Sequence, residues 1–272
     1  MKNLLIILLL STSFLNAQNE SYKKKELIKK NNIEKITTYQ YNEKGDSIKT
    51  GIDIYDKKGN HIEDLRLEGN KIVFKYIIEH NEKDLMIKQT GYKENGTVSS
   101  ILHYEYDKNG NQILYKQTKK NGEVLGHQKR TYNEKDQNIE LYNLNKKTNE
   151  FYLSYKFNYN NNNLYSSTQS FNSTGKQISE SEYEYKNGKL KKLISKINGK
   201  KYKTSYQYDS KGRLIRKKYH RKRNVILNGK KIVLKQWEEK FEYDDENNLT
   251  SKVSLGNGMN FKIEKYYYEK HE

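Results

Sequence analysis

No cysteine and no proline occur among the 272 residues, there is a single tryptophan, and no apolar run outlasts the seven residues Leu4 to Leu10. Without cysteine there is no disulfide framework of the kind that staples many small exported domains. Zinc–thiolate centres and an N-terminal lipidated cysteine are excluded by the same absence. Without proline there are no polyproline linkers. Hydrophobic residues make up 33% of the chain and charged residues 32%, a balance that approaches that of disordered chains. Disordered segments are usually enriched in proline, so its absence weighs toward a folded chain.

The one apolar run is placed for export. Met1-Lys2-Asn3 is a short basic start, Leu4 to Leu10 is unbroken, and Ala17 follows a polar stretch as a cleavage point. Seven apolar residues are too few to span a bilayer. Residues 1–17 are therefore expected to be a signal peptide. Residues 18–38 form a basic extension with a short helix near Tyr22 to Lys30, and residues 39–272 the main domain. A periplasmic or extracellular protein without a transmembrane span after cleavage is the expectation.

What the chain does contain is 25 tyrosines and a formal net charge of +18. Tyrosine buries a large ring while its hydroxyl keeps a polar partner, and aromatics suit the half-buried face of a sheet. Removing residues 1–17 takes away only Lys2 among the charges. So basic a chain attracts polyanions, although cations spread along strands also serve to keep sheet edges apart.

One segment recurs. It reads Tyr39-Gln40-Tyr41-Asn42-Glu43-Lys44-Gly45, then Tyr55-Asp56-Lys57-Lys58-Gly59-Asn60, then Tyr104-Glu105-Tyr106-Asp107-Lys108-Asn109-Gly110-Asn111. It returns as Tyr206-Gln207-Tyr208-Asp209-Ser210-Lys211-Gly212-Arg213-Leu214, and as Phe241-Glu242-Tyr243-Asp244-Asp245-Glu246-Asn247-Asn248-Leu249. Weaker copies centre on His80, Tyr132, Tyr159 and Tyr185. Most steps between copies are 23 to 27 residues, and the step from Tyr208 to Tyr243 is 35. A second class of turn falls midway, at Asn95-Gly96, Asn121-Gly122, Phe171 to Gly175, Asn198-Gly199 and Asn228-Gly229. Asp or Asn bonds the backbone two residues on, and glycine supplies the positive φ of a tight turn. Between turns the residues alternate with period two: Phe151, Leu153, Tyr155, Phe157 and Tyr159 on one face, Tyr152, Ser154, Lys156 and Asn158 on the other. Ile72, Phe74, Tyr76 and Ile78 repeat this, as do Trp237, Glu239, Phe241 and Tyr243.

The segment from Tyr206 to Leu214 resembles the YD repeat of bacterial RHS-type surface proteins and of teneurins, and the resemblance extends over roughly residues 39 to 268. It implies β-hairpins that spiral into a sheet or shell, with surface-recognition roles. Toxin-carrying relatives are longer and have a proline-containing cleavage motif. This chain lacks that motif and ends in a repeat-like strand, so toxin delivery is not implied.

The expected fold is all-β: tandem antiparallel hairpins, 16 to 18 short strands, in a twisted and curled sheet that is an open, solenoid-like meander or closes on itself. Tyr39, Tyr104, Tyr106, Phe157, Tyr159, Tyr206, Tyr208, Phe241 and Tyr243 are expected on its packed side. Catalytic signatures are sparse. His61, His80, His103, His127, His220 and His271 show no metal-ligand spacing, and His80 stands where other copies have tyrosine. Asp56, Asp107, Asp209 and Asp244 recur at one turn position, which favours backbone capping over acid–base work. No catalytic residue and no cofactor is expected.

The long step is where the repeat breaks, and there charge is densest: Arg213, Arg216, Lys217, Lys218, Tyr219, His220, Arg221, Lys222 and Arg223. Cations interleaved with an aromatic suit a phosphate or sulfate chain. The expectation is a non-catalytic exported binding or surface-adhesion module for a glycan or other polyanion, with a cell-surface partner. An envelope scaffold without a specific ligand is the alternative, and a secreted hydrolase a remoter one.

Overall fold

A computed structural model describes residues 23–42, 44–227 and 230–272, so the expected signal peptide lies outside the described residues. Twenty β-strands form among them. In chain order they are β1 (Ile33–Tyr41), β2 (Ser47–Tyr55), β3 (His61–Glu68), β4 (Lys71–His80), β5 (Met86–Lys93), β6 (Val98–Tyr106) and β7 (Gln112–Thr118). Then come β8 (Val124–Tyr132), β9 (Asn138–Asn145), β10 (Glu150–Tyr159), β11 (Tyr165–Phe171), β12 (Gln177–Lys186), β13 (Lys189–Ile197) and β14 (Lys200–Tyr208). The last are β15 (Leu214–His220), β16 (Arg223–Leu227), β17 (Lys230–Leu234), β18 (Trp237–Tyr243), β19 (Leu249–Gly256) and β20 (Met259–Lys270).

Every strand from β1 to β14 pairs antiparallel with the next, β15 pairs with β18, and β18 to β20 continue the meander. The circuit then closes, because β20 pairs with β1 from Ile33↔Lys270 to Tyr41↔Ile263. Eighteen strands thus make one antiparallel barrel, and β16 and β17 form a separate hairpin. The curled sheet is of the closed kind. The 35-residue step of the sequence is where that extra hairpin is inserted.

Cross-strand register sorts the side chains into two walls. Ile36 faces Asp53 and Tyr268; Phe157 faces Thr168; Tyr183 faces Leu193; Tyr104 faces Tyr115. This wall contains the buried Tyr55, Leu141, Phe157, Leu193 and Trp237, so it is the inner one. Closing about 16–18 strands encloses more space than side chains fill. Inner-wall Phe74, Ile87 and Ile215 accordingly remain exposed. The outer wall carries Lys–Glu pairs such as Lys75–Glu63, Lys88–Glu79 and Lys192–Glu184. On β2 to β7 it also carries half-buried aliphatics, among them Ile52, Leu65, Ile77 and Ile101. Tyr39 departs from expectation. It pairs with Lys49 and Lys265 on the outer wall and meets the Tyr267 ring edge-on at 5.4 Å. Its copy of the repeat sits half a unit out of phase, so its turn lies at the other end of the barrel.

A meander puts alternate turns at opposite ends. One rim holds the Tyr-Asp turns. In Asp56–Asn60 the Asp56 carboxylate accepts from the Lys58 and Asn60 amides, and Gly59 adopts φ 81 beneath the N-terminal helix. At five of these turns the preceding tyrosine, and near the end of β20 Tyr268, donates its hydroxyl to the carbonyl at the start of a neighbouring strand. The pairs are Tyr106 to Met86 (2.7 Å), Tyr132 to Gln112 (2.8 Å), Tyr159 to Asn138 (2.9 Å), Tyr208 to Leu190 (3.0 Å), Tyr243 to Leu214 (2.9 Å) and Tyr268 to Leu249 (2.6 Å). Each such bond is worth about 1 kcal/mol net.

Turns on this rim also bond to one another. Asn60 donates to Asp84, Asn111 to Asp136, Gln137 to Asn163, and Arg213 to Asn247. The short basic helix expected near Tyr22 to Lys30 occupies residues 23–30 and lies across the same rim. It buries Ile28 against Ile33, Ile36 and Tyr55, pairs Lys25 with Asp84, and is followed by Asn31, which donates to Asn248. The barrel begins at Ile33, within the segment expected to be an extension. That stretch has too few aromatics to carry the repeat signature.

Candidate functional site

The run Arg213 to Arg223 is divided by the geometry that produces it. β15 alternates, so neighbours in sequence go to opposite walls. Arg213 stays on the stitched rim, bonded to Asp209 and Asn247. Arg216, Lys218 and His220 face outward; Lys217 and Tyr219 face inward. Lys217 lies over the Tyr206 and Phe241 rings, and Tyr219 stacks on Trp237 at 3.7 Å while its hydroxyl donates to Glu239. Arg221 and Arg223 cover the same Trp237, Arg223 at 4.3 Å, and burial lowers the Arg223 pKa. Lys222 is exposed at the bend into β16. The nine residues do not form one patch.

The outward members instead join lysines from two earlier strands. Register aligns them in rows across β13, β14 and β15: Lys192, Ser205 and Lys218; then Ile194, Lys203 and His220; then Lys196 beside Lys201. Lys192, Lys203, Ser205, Gln207, Arg216 and Lys218 line a shallow depression of about 360 Å³. Two cations at its edges are engaged: Lys192 with Glu184, and Arg216 in a two-pronged contact with Glu238. Burial, followed by the charges of Lys203 and Lys218, lowers the His220 pKa. Acidic residues border the rows. Glu180, Glu182 and Glu184 stand opposite β13 on β12, and Glu238 stands opposite Lys218 on β18. The outcome is a cationic strip three strands wide, roughly 10 Å at ordinary strand spacing, bordered by the Glu column of β12 on one side and by Glu238, with Lys240 opposite Arg216, on the other. Local sequence density pointed to β15; the lysines of β13 and β14, which scattered along the sequence as ordinary strand charges, complete the strip.

A second charged region went unnoticed in the sequence. The inner wall near the β1–β20 seam carries Asp53 with His61 at 3.2 Å, Asp64 with Arg66 at 2.6 Å, and Lys252 between Glu239 at 3.2 Å and Glu264 at 3.7 Å. Burial raises the Asp64 pKa despite Arg66. For Asp53 burial acts in the same direction but is outweighed by His61, Lys24 and Arg66, so its pKa is lowered. The signal available was parity: these charges occupy positions where other strands place tyrosine or serine. No group of His, Asp and Glu among the described residues has the arrangement of a metal site. No helix among them is long and apolar enough to cross a membrane.

No protein-family profile matches the chain, and no curated protein sequence matches it. Among solved structures it is similar to a porin-like protein from Bacteroides uniformis, at 12% identity and a TM-score of 0.43, over 87% of this chain and 98% of that one. It is also similar to the TcdB2–TccC3 complex, at 13% identity and a TM-score of 0.37, over 83% of this chain and 14% of that one. A Photorhabdus luminescens Tc holotoxin pore matches at 13% identity and 0.36, over 81% of this chain and 13% of that one. Likenesses this distant carry nothing about function, which has to be read from the chain's own residues.

Proposed function

We propose that the chain is an exported, non-catalytic protein of the YD-repeat type that holds a linear polyanion, a sulfated or phosphorylated glycan, along the outer face of β13, β14 and β15. The observation that carries this is the strip itself. Lys192, Lys196, Lys201, Lys203, Arg216 and Lys218 converge from three strands, and the Glu column of β12 bounds the strip on one side. Binding of this kind is driven by release of counterions and is steeply salt-dependent. The recurrence of the Tyr-Asp turn, with its aspartates bonded to backbone amides, supports a framework role for those carboxylates.

The test is retention on immobilised heparin. Lys196, Lys201, Lys203 and Lys218 are the residues to change to Gln. Arg216 is tied to Glu238, and Lys217, Arg221 and Arg223 are laid over rings. The wild type should be retained, and each substitution should lower the slope of log affinity against log salt by about 1. Equal retention of the fourfold variant contradicts the proposal.

A further inference from the structure

Exposed aliphatic side chains are concentrated at one end of the barrel. The largest exposures are Ile226 (78%), Ile48 (52%) and Val233 (51%), with Ile72 and Met259 at 41% each. All five lie on the rim opposite the Tyr-Asp turns. Ile48, Ile72 and Met259 stand at the beginnings of β2, β4 and β20, and Ile226 and Val233 belong to the β16–β17 hairpin, which leaves the barrel at that end. They lie at intervals along the rim from β15 through the seam to β4.

The hairpin explains how its apolar face comes to be uncovered. Asn224 pairs with Val233, and Ile226 with Lys231, so Ile226 and Val233 share one face. The opposite face is the docked one: Leu234 is buried against Gly256, and Arg223 covers the rings of Trp237 and Phe261. A solvated hairpin docked this way would turn polar residues outward. This one turns aliphatics outward and surrounds them with cations. The 28 residues from Ser210 to Trp237 contain eleven Lys and Arg and no Asp or Glu. Lys222, Lys231 and Lys235 are exposed beside the hairpin, and Lys44 and Lys200 elsewhere on the rim, where Lys71 is paired with Glu94. Aliphatic tips set among cations match an interface that is both apolar and anionic. A soluble polyanion meets the cations but leaves the aliphatics wet.

We infer that the barrel docks end-on, through this rim, to an anionic lipid surface. The aliphatics of the hairpin and of the β2, β4 and β20 starts enter the headgroup–acyl boundary, and the surrounding lysines meet lipid phosphates. The mouth of the barrel then faces the bilayer, and the stitched rim with its helix faces away.

The experiment is co-sedimentation with vesicles of phosphatidylglycerol mixed with phosphatidylcholine, against vesicles of phosphatidylcholine alone. Heparin retention and circular dichroism are followed in parallel. The wild type should pellet with the anionic vesicles. A variant carrying Ile48→Ser, Ile226→Ser, Val233→Ser and Met259→Ser should lose that binding by about tenfold or more while keeping its spectrum and its heparin retention. Lys196, Lys201, Lys203 and Lys218 changed to Gln should do the reverse, which separates this site from the β13–β15 strip. Undiminished vesicle binding by the serine variant would overturn the inference and assign lipid attraction to the strip alone. Self-association of the wild type that disappears in the serine variant, without vesicle binding, would overturn it in favour of a second copy of the chain.

Discussion

The two ends of the barrel are built from similar short turns and do different things. On the Tyr-Asp rim, hydroxyls reach across strands, turns bond to their neighbours, and a helix is laid over the top. On the opposite rim the turns mostly cap themselves. Asn95 accepts from the Thr97 amide and Asn121 from the Glu123 amide, and neighbouring turns meet in the exposed Lys71–Glu94 pair. The most exposed aliphatics collect on that second rim, while Ile28 and Tyr55 are sealed under the first. The difference teaches that a repeat can supply framework at one end and leave the other free to vary.

The largest expected effect is alkaline collapse beginning at the stitched rim. Burial raises the pKa of Tyr106, Tyr132, Tyr159 and Tyr268 on that rim, and pushes Tyr155 and Tyr185 up to about 12. A phenol whose folded pKa is raised keeps its stabilising contribution below its unfolded value near 10 and loses it as pH climbs toward the folded value. A phenolate also cannot donate to a strand carbonyl. Near-ultraviolet circular dichroism should therefore hold steady between about pH 7 and 9 and fall cooperatively above about 10. A fall spread evenly across the range would break the comparison.

Next in size is the loss of a link between turns. Asn111 is buried and donates to Asp107 at 3.0 Å and Asp136 at 2.7 Å. Asn111→Ala should cost about 2 kcal/mol by urea denaturation, since two carboxylate oxygens lose their partner. Glu123, the matching turn position on the other rim, is exposed, and Glu123→Ala should stay within about 0.5 kcal/mol. Equal costs would mean that the rims are not distinct. Smallest is the removal of single hydroxyls. Tyr106→Phe should cost about 1 kcal/mol. Tyr41→Phe, which loses only an exposed contact with the Tyr267 hydroxyl, should cost under about 0.5 kcal/mol.

Strand identity was legible because period two and the Asx-Gly turns are local. Tyr55, Tyr106, Tyr132, Tyr159, Tyr208 and Tyr243 each end a strand, and the broken step from Tyr208 to Tyr243 contains the added hairpin. Closure was not legible, since pairing β1 with β20 joins residues more than 220 apart and leaves no local mark. The phase of Tyr39 was misread because its turn copies the Tyr-Asp form at the wrong end. The cationic strip was half legible: β15 announced itself by density, while Lys192, Lys196, Lys201 and Lys203 gather only through register. The inner charges at Asp53, Asp64 and Glu264 need the wall assignment before they stand out.

Closure and the unlike ends that follow from it rest on the β1–β20 seam, and the absence of cysteine makes that seam directly testable. Lys35 and Glu269 are Cα partners across it and form an ion pair, a placement that suits a disulfide. With Lys35→Cys and Glu269→Cys combined, mild oxidation should give a monomeric, faster-migrating species on non-reducing gels, with the spectrum of the wild type retained. Free thiols, or disulfide-linked dimers alone, in a protein that keeps that spectrum would contradict the closed barrel.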